Sequence, residues 1–109
     1  MKINLPFREE FRDRMLSGRK TCTSRTKRFG EGGDTFEAFE AEFILERNNA
    51  GLNTIAVDRF PLSYVAKYFF GGEGFDTTED FIECWKKIHP RKGYDPEQKV
   101  WVHYFRRSS

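Results

Sequence analysis

The sequence predicts a small antiparallel α+β barrel, with about five strands and three short helices in a single domain spanning residues 1–109. Three observations carry this. Apolar residues make up 38% of the chain and aromatics 17%, with 12 phenylalanines, so a real core can form despite a charged fraction of 33%. Segments of period two are interspersed with short segments of helical period, without the regular strand–helix–strand alternation of a parallel sheet. The length, 109 residues, is that of one compact domain, in which the activity is expected to reside.

The elements follow in order. Phe7, Phe11 and Met15 recur every four residues while Arg8, Glu9, Glu10, Arg12, Asp13 and Arg14 take the other face, which predicts an amphipathic helix over about 8–16, stopped at Gly18. The β-branched segment Thr21–Thr26 reads as a strand, and Gly30–Asp34 as a glycine-rich turn. From Phe39 the alternation of Phe39, Ala41, Phe43 and Leu45 with Glu40, Glu42, Ile44 and Glu46 predicts a half-buried strand. The Asn-Asn-Ala-Gly at 48–51 turns the chain into a further strand near 53–60. Ser63 is the expected cap of a short helix ending at Gly71. Asp76 and Glu79 read as a capping box for a longer helix, whose apolar stripe is Phe81, Trp85 and Ile88 and which Pro90 ends. Lys99–Phe105 alternates with apolar residues on both faces, as a central strand does.

Several function classes are disfavoured. No apolar run approaches the ~20 residues of a membrane span, and the N-terminal residues lack a hydrophobic signal segment, so a cytoplasmic protein without membrane contact is expected. Cys22 and Cys84 stand apart and are expected to be reduced thiols. With His89 and His103 they lack zinc-type spacing, so no metal and no cofactor is expected. The glycine-rich turn lacks the Lys-Ser/Thr ending of a phosphate-binding loop.

A net charge of +2 hides a strong asymmetry. Residues 1–30 carry nine basic and three acidic side chains, net +6, residues 31–97 are net −7, and the remaining C-terminal residues are net +3. If strand pairing brings the two ends together, they form one basic surface suited to an anionic or phosphate-bearing partner. Arg25, Lys27 and Arg28 are the candidates for phosphate or base-edge contacts there.

The segment Ser17-Gly18-Arg19-Lys20-Thr21-Cys22-Thr23-Ser24-Arg25 concentrates hydroxyl and basic groups just after the helix stop. Taken with the leading helix, Gly33-Asp34, the Glu73-Gly74-Phe75 turn and the closing strand at Val100–Phe105, it resembles the ASCH family over about 7–105, nearly the whole chain. That resemblance implies a PUA-like barrel, a fold related to RNA-binding domains. One branch of the family hydrolyses the amide of N4-acetylcytidine, and the resemblance maps its lysine base onto Lys20, its threonine nucleophile onto Thr23 and its glutamate acid onto Glu73. Other members are RNA-binding or ribonuclease-like, so the fold is better constrained than the reaction.

The residues support such chemistry independently. A threonine hydroxyl needs a base within hydrogen-bond reach, and a lysine serves if its surroundings favour the neutral amine, to which Arg19 and Arg25 would contribute. Glu73, flanked by Gly71, Gly72 and Gly74, stands where a ligand can approach closely, and a carboxylic acid there could protonate a leaving amine. Strand alternation opposes the triad, because it puts Lys20, Cys22 and Ser24 on one face and Thr21, Thr23 and Arg25 on the other. Lys20 joins Thr23 only if it sits in the turn before the strand. The first expectation is therefore a domain that binds RNA or a modified nucleoside in a basic cleft formed by Arg19, Lys20, Thr21, Thr23, Arg25 and Glu73. The alternatives are an N4-acetylcytidine-type amidohydrolase and a ribonuclease using Lys20. Trp85 is expected in the core, Trp101 and Tyr104 either in the core or stacked on bases, and His103 as a satisfied strand residue.

Overall fold

Five strands, β1 (Cys22–Arg25), β2 (Thr35–Ala38), β3 (Ala41–Leu45), β4 (Val57–Pro61) and β5 (Lys99–Arg107), and three helices, α1 (Arg12–Leu16, entered through a 3₁₀ turn at Glu9–Phe11), α2 (Leu62–Tyr68) and α3 (Thr78–Ile88), make up the computed structural model, which describes residues 1–46 and 57–108. The expected turn at 48–51 lies outside the described residues, as does the first part of the strand expected near 53–60.

β5 is the spine of one antiparallel sheet ordered β1-β5-β3-β2, with β4 also paired to β5. Tyr104 stands opposite Cys22, His103 opposite Thr23 and Trp101 opposite Arg25 on β1, while Arg59 and Val57 of β4 oppose Trp101 and His103. β3 pairs with the last residues of β5 through Leu45 and Phe105. This makes β5 the central strand that its two apolar faces predict. Among the described residues the sheet is open: β1 and β2 end it without meeting, so the fold is a small α+β sheet rather than a closed barrel.

The two faces of β5 found two cores. Val100 and Val102 pack with Cys22, Leu62, Val65, Phe81 and Trp85. Phe105 packs with Leu5, Phe11, Met15, Phe36, Phe43 and Leu45. The second of these is a phenylalanine cluster in which Phe36 lies 5.4 Å from Phe43, 5.6 Å from Phe7 and 5.6 Å from Phe105, centroid to centroid. Stacked and edge-on pairs of this kind add to the area they bury. Phe75 packs against both cores.

Three local readings are corrected. Phe39 is not in a strand: Phe39 and Glu40 form a two-residue turn, both in the left-handed region at φ 55° and 64°, between Ala38 and Ala41, which pair. The helix expected to start at Ser63 and run to Gly71 instead starts after Pro61, with Ser63 inside its first turn, and ends at Tyr68. The cap of α3 is Thr77, whose hydroxyl accepts from the Asp80 N–H, rather than Asp76. Asp76 is engaged by Arg19 instead.

Candidate functional site

Lys20 sits before β1, in the turn that follows α1, where its N–H donates to the Arg14 carbonyl at 2.8 Å. Lys20 thus stands in the turn before the strand rather than within it. The loop after α2 then docks on the same point: the N–H groups of Thr21 and Cys22 both donate to the Gly72 carbonyl, at 2.7 and 3.0 Å. A Cβ at Gly72 would lie 3.1 Å from the Cys22 sulfur and 3.2 Å from the Thr21 hydroxyl oxygen, tighter than ordinary contact, so glycine eases this close approach of the two segments. Gly74 adopts φ +100°, and a Cβ there would lie 3.3 Å from the Lys20 Cβ and 3.1 Å from Arg14 Cδ. Gly74→Ala is therefore expected to lower stability by about 1–3 kcal/mol, measured by urea unfolding. An unchanged midpoint would show that the loop takes another conformation.

Between these glycines, Glu73 is turned inward. Glu73 and Lys20 are 4% and 3% exposed. The Lys20 ammonium donates to the Glu73 backbone carbonyl at 2.8 Å and to its carboxylate Oε1 at 3.2 Å, and lies 4.8 Å from the centre of the Phe11 ring. The other carboxylate oxygen, Oε2, accepts from the Ser24 hydroxyl at 2.5 Å. The group thus forms a closed set of ammonium, carboxylate and hydroxyl, as a buried ion pair requires if its remaining lone pairs are to be met.

These residues line a cleft of about 310 Å³. Thr23, Arg25 and Lys27 line it too, so Lys20, Thr23 and Glu73 share one cavity. Its walls are aromatic, supplied by Phe7, Phe11, Phe29, Phe75, Phe81 and Trp85. Thr23, Ser24 and Arg25, consecutive on β1 at one end of the sheet order, all line the cleft. The Thr23 hydroxyl accepts from Arg25 Nε at 3.4 Å, and the Arg25 guanidinium covers the Phe7 ring at 4.8 Å and donates to the Pro6 carbonyl. Burial lowers the pKa of Arg25, opposed by the Glu73 carboxylate.

The remaining sequence candidates stand apart from this cavity. Arg19 is exposed and bound to Asp76; Thr21 is exposed, and its backbone rather than its hydroxyl anchors the glycine loop; Arg28 is exposed, with its guanidinium over Trp101. Arg19 therefore does not face Lys20 from within the cleft. Trp85 is buried, as expected, yet it is also a cleft wall. Sequence reasoning assigned no role to Ser24, the hydroxyl bonded directly to Glu73. Its signal was the alternation itself, which puts Ser24 on the Lys20 face.

His103, opposite Thr23 on β5, is fully buried. The Phe29 N–H donates to its Nε2 at 2.9 Å, so the ring proton is on Nδ1, which faces the Thr23 carbonyl at 3.2 Å. Burial first, then the charges of Arg25 and Arg28, push its pKa down to about 4 against the opposing pull of its hydrogen bonds to backbone. His103 is a structural strut, as expected. The Cys22 thiol is also buried and pushed up, and Cys84 is shifted the same way by burial and Glu10, so neither thiol is activated.

No protein-family model matches the sequence, and no curated protein matches it. Solved structures do share the fold. The hypothetical protein PH0355 superposes with a TM-score of 0.70 at 13% identity, covering 98% of this chain and 99% of its own. The ASCH domain from Lactobacillus crispatus JV V101 gives 0.69 at 11% identity, over 97% of this chain and 77% of that one. Protein EF3133 from Enterococcus faecalis V583 gives 0.60 at 18% identity, over 91% and 70%. The chain has the ASCH-domain fold. No helix among the described residues is long and apolar enough to cross a membrane.

Proposed function

We propose that this chain, built on the ASCH-domain fold, binds RNA or a modified nucleoside by seating one base in the cleft. The observation that supports this is that the cleft combines aromatic walls with a bonded polar cluster of Lys20, Ser24 and Glu73. Planar rings that are only partly buried, such as Phe29 and Phe75, offer stacking surface to a base. Lys20, Thr23, Ser24 and Glu73 offer donors and acceptors to its polar edge, and Arg25 and Lys27 give the cleft positive charge for an anionic ligand. Calorimetric titration with cytidine, N4-acetylcytidine and single-stranded RNA at low ionic strength tests it. Saturable binding is expected, abolished in the double variant Lys20→Met/Glu73→Leu, which removes the buried ion pair as a unit. No binding of any of the three overturns the reading.

The buried Lys20–Glu73 contact favours a second reading, an amidohydrolase acting on N4-acylated cytidine. One proton shifted from Lys20 to Glu73 across their 3.2 Å contact creates a base and an acid together. The Thr23 oxygen would then attack the acyl carbonyl while Lys20 takes its proton. Glu73 would return a proton to the departing cytosine amine, and water would hydrolyse the resulting ester to carboxylic acid and free Thr23. Incubation with N4-acetylcytidine and detection of cytidine tests this. Thr23→Ala is expected to cut turnover at least a hundredfold. Activity retained in Thr23→Ala but lost in Ser24→Ala would move the nucleophile to Ser24, and absence of turnover in the wild type would leave binding alone.

A further inference from the structure

The basic surface does not stop at the cleft. Arg25, Trp101 and Arg59 stand directly opposite one another on β1, β5 and β4, so they project from one face of the sheet in a single row. With neighbouring strands about 4.8 Å apart, the row runs roughly 10 Å from the cleft wall at Arg25 to Arg59. Arg28 reaches the same place from the segment after β1. Its Cζ lies 5.7 Å from the centre of the Trp101 ring, and that of Arg59 lies 5.4 Å from it. At these distances the electron-rich face of an indole attracts and orients a guanidinium.

Both arginines are exposed, and among the described residues neither forms an ion pair with a carboxylate. Arg8, Arg12, Arg19 and Arg106 each do. Two like charges gathered on one ring without a carboxylate repel each other, and an anion placed against both relieves that repulsion. The planar N–H fork of a guanidinium matches phosphate oxygens better than an ammonium does.

We propose that Arg28 and Arg59, positioned by Trp101, form a phosphodiester subsite continuous with the cleft, and that the ligand is single-stranded RNA whose backbone follows this row away from the seated base. The proposal rests on the reading of the cleft as a base site. A free nucleoside fills the cleft and leaves the two arginines without an anion, whereas a strand fills both. Such contacts hold and orient a strand without reading its sequence, which assigns selectivity to the cleft and affinity to the row.

Calorimetric titrations of cytidine, cytidine 5′-monophosphate and an eight-residue oligocytidylate into the full chain test the subsite. The octamer is expected to bind at least tenfold tighter than cytidine. Arg59→Gln should remove most of that advantage and leave cytidine affinity unchanged. It should also flatten the slope of log affinity against log salt for the octamer by about 0.7, the contribution of one lost phosphate contact to a single strand. Arg28→Gln should weaken the octamer similarly. Trp101→Phe, which keeps an aromatic face, should retain octamer affinity, and Trp101→Leu should lose it. The two arginines are exposed, so their substitution tests the subsite even if Trp101→Leu fails to fold. Equal affinity for cytidine and octamer, or octamer binding indifferent to both arginine substitutions, overturns the subsite while the base-binding cleft stands. Monophosphate binding as tight as the octamer, with the same sensitivity to Arg59→Gln, overturns the strand in favour of a small nucleotide. No binding of any of the three overturns the cleft reading and the subsite with it.

Discussion

Glu73→Ala is expected to destabilise the protein by about 3–5 kcal/mol, because it leaves the Lys20 ammonium buried without its carboxylate. The Lys20 head group is almost wholly removed from water, and its two oxygen partners are both supplied by Glu73, one from the backbone and one from the side chain. Truncation keeps only the carbonyl, and it also strips Ser24 of its acceptor. Glu73→Gln should cost less, since an amide oxygen can still accept while the charge is lost. The informative variant is Lys20→Met/Glu73→Leu. Replacing a buried pair with apolar groups of similar volume is often neutral or stabilising, so this double variant should recover most or all of the lost stability. Urea unfolding of the four proteins measures the series. If the double variant is stable yet binds no nucleoside or RNA, the ion pair is kept for the ligand rather than for the fold. Glu73→Ala as stable as wild type would mean that the pair is not buried in solution.

That pair also shows what the sequence reveals and what it conceals. Lys20 and Thr23 stand three residues apart in a motif, and Glu73 stands among three glycines; both features are visible without coordinates. Their convergence is not, because it depends on the Gly72 carbonyl capturing two N–H groups at the entrance to β1, a contact fifty residues long in sequence. The two faces of β5 and the stripe of α3 were legible because periodicity reports burial directly. The hairpin between β2 and β3 was not. Two-residue hairpins usually announce themselves with Asn-Gly or a similar pair that tolerates positive φ. Here Phe39 and Glu40 occupy those positions, and the alternation running through Phe39 imitates a continuing strand. Tertiary pairing of Thr35–Ala38 with Ala41–Ile44 holds a turn that local preference disfavours. Thr77 displaced Asp76 as the cap for an equally local reason: neighbouring residues can each serve, and the ion pair with Arg19 takes Asp76 away.

His103 carries the second large effect, a loss of about 3 kcal/mol of stability as the pH falls from about 6.5 to about 4. Its folded pKa of about 4 lies below the ordinary 6.5. In that window the unfolded chain therefore binds the proton and the folded chain does not, so unfolding is favoured as acid is added. Above 6.5 the contribution is fully present, and below 4 both states are protonated and it is gone. The geometry supplies the cause: a second ring proton on Nε2 would face the Phe29 N–H, donor against donor, inside a site that also faces the charges of Arg25 and Arg28. Carboxylates titrate in part of the same range, so the measurement is a difference. Urea unfolding of wild type and His103→Gln at steps between pH 7 and pH 4 should give stability curves that approach each other by about 3 kcal/mol, since glutamine does not titrate. Parallel curves would show that His103 is protonated at no cost and that its contacts to Phe29 and Thr23 do not hold in solution. Because those contacts tie β5 to β1 and to the segment carrying Lys27 and Arg28, acid should loosen the mouth of the cleft before it unfolds the sheet. Ligand affinity measured along the same pH series should fall with the wild-type curve and not with that of the variant.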